Sequence, residues 1–214
     1  MKKLIFILLC FAFLTFGSSA RIIEVAPAGA WGVLGISGGG AAAGECSYTS
    51  KDSVTATTEG SLVCGGGSDG RGAAIRYTTT SAYDTDRITV ALKKTGAPSC
   101  TVAVLVYNDS GDSPNTLLAT STTTLDCATE ITTSFADYDF DFDTPASLDT
   151  TTLYWIAIVS TVAGTCNSEN YVSEQNDSSG GGTGSRFAYS TVYAPSWNVI
   201  DDGWKMDFDA QDCE

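Results

Sequence analysis

The chain has 214 residues, with 25 acidic and 11 basic side chains, no histidine and a net charge of −14. A surface this acidic repels phosphate backbones and excludes nucleic acid as a natural partner, and without histidine a Ser-His-Asp triad or a Cys-His pair cannot be built. The length suits one sizeable β-sandwich and is thin for two independent domains.

In chain order, residues 1–20 read as a secretory signal peptide. Lys2 and Lys3 form a positive start, residues 4–16 are an apolar run, and Gly17, Ser18, Ser19 and Ala20 supply small residues before Arg21. The run falls short of the roughly 18 apolar residues that a membrane-spanning helix needs. No second such stretch follows, so no transmembrane segment is expected. Cys10 follows the bulky Leu9, which argues against lipid modification there. Removing the signal takes away two lysines, and the net charge becomes −14 − 2 = −16. The expected location is extracellular, either secreted or associated with a cell surface.

Residues 21–72 read as a flexible, glycine-rich N-terminal arm followed by a loop region between Cys46 and Cys64. The arm carries a short apolar patch at residues 31–36, flanked by Ala, Pro and Gly. The glycine stretches near 38 and 65 lack the Lys-Ser/Thr ending of a phosphate loop and read as linkers.

Residues 73–214 are expected to form an all-β domain, a jelly-roll-like antiparallel sandwich. Residues 87–94 alternate, with Ile88, Val90 and Leu92 on one face and Thr89, Ala91 and Lys93 on the other. Residues 101–107 and 153–162 are apolar on both faces, as central strands are. Residues 108–115 are dense in Asp, Ser, Gly and Pro and turn the chain into residues 116–125. Residues 137–143 alternate strictly between Asp and aromatics, and residues 187–193 and 203–209 are late aromatic strands.

Six cysteines remain once Cys10 is removed, and an even number in an exported chain argues for disulfides rather than a zinc site. In an antiparallel hairpin, paired residues share a constant index sum. Cys100 and Cys127 sum to 227, which centres the hairpin at 113.5, within the predicted turn, so these two are expected to be bonded. The same reasoning makes Cys46–Cys64 a local loop, and Cys166–Cys213 follows by elimination.

The order of several segments resembles a known family. These are Thr85 to Leu92, Gly96-Ala97-Pro98, residues 102–115 with the Tyr-Asn-Asp-Ser-Gly-Asp-Ser-Pro turn, Leu117-Leu118-Ala119, Tyr138 to Phe142, residues 148–158 around Trp155, Ser196-Trp197 and Met206-Asp207-Phe208. Together they resemble the choice-of-anchor domains, R type, of exported bacterial and phage β-sandwich modules. The resemblance covers about residues 75–210 and implies a jelly-roll-like sandwich, not an activity. Members of that family often carry a C-terminal sorting signal, which this chain lacks.

For function, no motif for an activated nucleophile is present and catalysis is not expected. Asp137, Asp139, Asp141 and Asp143 share one strand face and read as a solvated row opposite core aromatics. Asp109 and Asp112, in an oxygen-rich turn, are the candidate ligands of a structural calcium; no other cofactor is expected. Trp155 and Trp204 read as core. Tyr171, Tyr189, Tyr193 and Trp197, with Asn176 and Asp177 nearby, are candidate sugar-binding residues, in which rings stack on sugars and amides or carboxylates take hydroxyls. Two functions compete. One is a non-catalytic surface module that binds a carbohydrate or adheres to a surface partner. The other is a structural subunit of an extracellular assembly, self-associating through its N-terminal arm, which could add a strand to a neighbour's sheet edge.

Overall fold

The computed structural model describes residues 47–64, 72–161, 166–177, 186–190, 196–200 and 205–213. All lie within the compact unit Ala42–Glu214. Residues 1–20, read as a signal peptide, the stretch read as an arm, Cys46, Tyr193 and Trp204 fall outside the described residues.

The fold is an all-β sandwich of two antiparallel sheets. The strands are β1 (Tyr48–Val54), β2 (Thr58–Cys64), β3 (Gly72–Thr78), β4 (Tyr83–Thr95), β5 (Thr101–Asp109), β6 (Pro114–Thr120), β7 (Leu125–Asp126), β8 (Ala136–Leu148), β9 (Leu153–Ser160), β10 (Tyr171–Asp177), β11 (Phe187–Ser190), β12 (Trp197–Ile200), β13 (Lys205–Met206) and β14 (Phe208–Cys213). The first sheet holds β1, β2, β4, β8, β10, β13 and β14, and the second holds β3, β5, β6, β7, β9, β11 and β12. In the first sheet β4 is central. Its Ile88 pairs with Phe140 of β8 on one side and Ala210 of β14 on the other, and β1 lies beyond β14. In the second sheet the order runs β12-β11-β3-β9-β5-β6, so β6 forms one edge.

Alternation in sequence becomes alternation of environment. Ile88, Val90 and Leu92 are buried, as are Phe140 and Phe142 between the exposed or half-buried aspartates of β8. They join Val104, Val106, Ile156, Ile158, Phe187 and Phe208 in the sandwich interior. β5 and β9 carry no such alternation. Their opposite face, with Ala103, Leu105, Tyr107, Trp155, Ala157 and Val159, forms a second buried apolar cluster together with Ala74 and Ala188. Trp155 is therefore core, as expected, but in the cluster outside the sandwich interior.

The hairpin between β5 and β6 turns at Gly111 and Asp112, with φ values of 63° and 62°. Two successive left-handed residues mark the tight hairpin turn that matches strand twist, and Gly and Asp tolerate that region best. The index sum is 223 at Asp109–Pro114, 225 at Leu105–Thr120 and 227 at Thr101–Asp126. Register shifts absorb the difference, so the constant-sum argument misplaces the turn while still bringing the right cysteines together. Cys100 and Cys127 are bonded, with Cα atoms 5.3 Å apart.

Two expectations are corrected. Cys64 is bonded to Cys166, with Cα atoms 5.6 Å apart, and so to neither Cys46 nor Cys213. Cys213 is disulfide-bonded as well. The cause is that residues 58–64 are not a local loop. They form β2, which pairs with β10 and carries Cys64 to the connection between β9 and β10. The domain boundary expected between 72 and 73 likewise falls inside the sandwich, because β1 pairs with β14 and β2 with β10.

Candidate functional site

Among the described residues, the expected sugar-binding side chains do not converge. Tyr171 opens β10, half-buried, and Asn176, on the same strand, is 2% exposed and donates from Nδ2 to Glu174 Oε1 at 2.9 Å. Asp177 is fully engaged. Its Oδ1 accepts from the Thr57 N–H at 3.1 Å, Thr57 Oγ1 at 3.2 Å and Thr58 Oγ1 at 3.0 Å, and its Oδ2 meets Lys205 Nζ at 3.3 Å. The Thr57 N–H, then Thr58 and Lys205, hold its carboxyl below the usual range. Tyr189 and Trp197 belong to the second sheet and pack against different clusters, Tyr189 against the sandwich interior and Trp197 against the outer one. The Trp197 ring meets Tyr107 edge-on at 6.0 Å. Tyr171, Asn176 and Asp177 thus lie on one sheet, and Tyr189 and Trp197 lie on the other.

Asp109 and Asp112 sit among cations. Asp112 accepts from Arg76 and faces Arg186 at 3.4 Å, and Asp109 accepts from Trp155 Nε1 at 2.8 Å and lies 3.7 Å from Arg76. The Arg76 hydrogen bond and the two guanidinium charges pull the Asp112 carboxyl below its ordinary value. Two fixed positive charges supply the neutralisation that a calcium ion would bring, so the pair acts as a salt-bridge anchor for the hairpin. In the acidic row, Asp141 and Asp139 accept from Arg87 at 2.6 and 3.1 Å. Among the described residues, three cysteine sulfurs, of Cys64, Cys100 and Cys166, lie within 4.8 Å of one another. All three are already in disulfides, which places the two bridges side by side.

Unpaired strand edges invite association unless charge, proline, bulges or brevity protect them. The edge β1 carries Lys51 and Asp52 and a register shift between Ser50 and Asp52. β8 carries four aspartates and Pro145, and the chain after β6 crosses it, with the Thr122 N–H donating to the Asp141 carbonyl at 2.8 Å. β12 is four residues long, and the β2–β10 ladder is broken by two register shifts. β6 has only a proline at its first position. Pro114–Thr120 contains no charge, and Leu117 and Leu118 are exposed at 47% and 38%. Beside it an open groove of about 250 Å³ runs between the two sheets, lined by Leu117, Leu118, Thr122, Asp143 and Thr144.

The sequence reading passed over this edge, although its signal was present. Neighbouring residues in a strand point to opposite faces, so two adjacent leucines cannot both enter one core. Among the described residues, no helix is long and apolar enough to cross a membrane. No family model matches the chain, and no curated protein matches it in sequence.

Proposed function

We propose that the protein is an exported, non-catalytic structural subunit that associates in the extracellular space through the β6 edge. One observation carries the reading: in a chain of net charge −14, the least protected sheet edge among the described residues is charge-free and presents two exposed leucines. Export is supported by the signal-like residues 1–20 and by the disulfides, which persist in oxidising compartments. The ordered motifs that resemble choice-of-anchor modules point to the same surface setting. A carbohydrate platform has less support, since its described residues are divided between two sheets.

Light scattering coupled to size-exclusion chromatography tests the reading. The wild-type chain recovered after export should increase in mass with concentration, and the double variant Leu117→Lys/Leu118→Lys should run as a folded monomer. A wild-type chain that stays monomeric across the concentration range would refute it.

A further inference from the structure

We infer that the occupant of the β6 edge is the N-terminal arm of a second copy, with residues 31–36 adding as a strand beside β6. This rests on the assembly role proposed above and names its partner.

The argument begins with charge. Each chain carries −14, and Asp143 stands on the rim of the groove. Pairing two sandwiches through β6 would bring acidic rims together, at a cost that grows with every like charge brought close. An uncharged extended segment escapes that penalty. Residues 25–44 contain no charged side chain, and their most apolar part is Trp31-Gly32-Val33-Leu34-Gly35-Ile36. This run of six is nearly the length of the seven-residue β6. In an added strand, Leu34 and Ile36 would share one face and Trp31 and Val33 the other. One pair could then cover Leu117 or Leu118 while main-chain hydrogen bonds extend the sheet.

Geometry then says which copy supplies the arm. Leu117 and Leu118 remain exposed in the single chain, so the acceptor is open within one molecule. The arm joins the sandwich through β1, at one edge of the first sheet, whereas β8 forms the opposite edge, flanking β4 on the side away from β14. β6 lies beside β8, tied to it by the Thr122–Asp141 hydrogen bond. β1, the first described strand after the arm in sequence, and β6 thus lie towards opposite edges of the sandwich. Donor and acceptor are different patches, so the contact is heterologous, and repeated head to tail it joins copies into an open filament or a ring. From Ile36 to Tyr48 the chain can span up to roughly 40 Å when extended, enough to bridge adjacent copies.

Two single variants of the full chain test this, Leu34→Asp in the arm and Leu118→Asp in the edge. Circular dichroism should show both folded, and light scattering should find each reduced to a monomer while wild type forms a ladder of oligomers. Mixed in equal amounts, they should form a dimer and nothing larger, because one retains its acceptor and the other its donor. A mixture that stays monomeric overturns the inference. Assembly lost with Leu118→Asp but kept with Leu34→Asp overturns the arm as occupant and leaves the β6 reading standing. A monomeric wild type overturns both.

Discussion

On the outward face of the first sheet, Arg87 binds Asp139 and Asp141, Thr89 Oγ1 donates to Asp139 at 2.7 Å, and Gln211 Nε2 donates to Asp209 at 2.8 Å. The outward face of the second sheet carries Ala74, Ala103, Leu105, Tyr107, Trp155, Ala157, Val159 and Ala188, all buried. An antiparallel sheet needs only one apolar face to make a sandwich. The first sheet follows that economy. The second is apolar on both faces, and polar groups are pushed to one end, where Arg76, Arg186, Asp109 and Asp112 gather around the Trp155 indole. The difference teaches where tolerance lies: substitution should be cheap on the first outward face and costly on the second, and new contacts should form at the edge of the apolar sheet.

The largest effect is expected from separating the elements that the disulfides hold. The Cys64–Cys166 bond ties the end of β2, in the first sheet, to the connection that follows β9 of the second, across 102 residues. On the chain-entropy estimate a loop of that size contributes roughly 4.7 kcal/mol, against roughly 3.5 kcal/mol for the 27-residue separation of Cys100 and Cys127. Replacing both members of each pair by alanine should therefore lower the urea midpoint more for Cys64/Cys166. Equal losses would show that native packing around the adjacent bridges, not loop length, sets their contribution.

Next comes a direct comparison of the two faces. Trp155 is fully buried, and its indole N–H serves Asp109. Trp155→Ala should cost about 3–5 kcal/mol, while Thr89→Ala on the other outward face should cost about 1 kcal/mol or less. Chemical denaturation of both variants measures the gap. A loss at Trp155 as small as that at Thr89 would mean that the second apolar face contributes little to folding.

Much of this architecture was legible because it is periodic. Ile88, Val90 and Leu92, and Phe140 and Phe142 among the aspartates, announce strands with one wet face. Residues 101–107 and 153–162 announce strands with none. The strands that escaped detection are those whose packing is not written as a period. β1 falls in the stretch read as a loop region between Cys46 and Cys64, and the polar Ser-Glu-Gln-Asn run of β10 carries no strand period. Yet Ser173, Glu174 and Asn176 are buried, because β10 is flanked by β2 on one side and by β4 and β13 on the other. Cysteine pairing failed for the same reason: once β2 is mistaken for a loop, Cys46 becomes the nearest partner for Cys64. The scattered sugar-binding candidates reflect a different limit. Closeness in sequence between Tyr189 and Trp197 says nothing about facing, and the β11–β12 register places them against opposite sides of one sheet.

The smallest expected effect is on the charged face and tests whether its charges stabilise the fold. Arg87 Nε donates to Asp141 at 2.6 Å and its Nη1 to Asp139 at 3.1 Å, while the guanidinium lies over the Tyr48 ring at 3.7 Å from the centroid. Three contacts hold one planar group, yet the two aspartates are largely open to water, with side-chain exposures of 51% and 41%. Exposed ion pairs contribute about 0.2–1 kcal/mol and weaken as salt screens them. Lysine would keep the charge but lose the planar fork and the ring stacking. Arg87→Lys should therefore cost about 1 kcal/mol at low salt, and the cost should shrink as salt rises only to the extent that Coulomb attraction, rather than stacking on Tyr48, is responsible. Tyr48→Leu provides the complement, removing the ring while leaving both carboxylates in place. If the Arg87→Lys loss is independent of salt and disappears in the Tyr48→Leu background, the face is held by stacking, and its aspartates serve solubility alone.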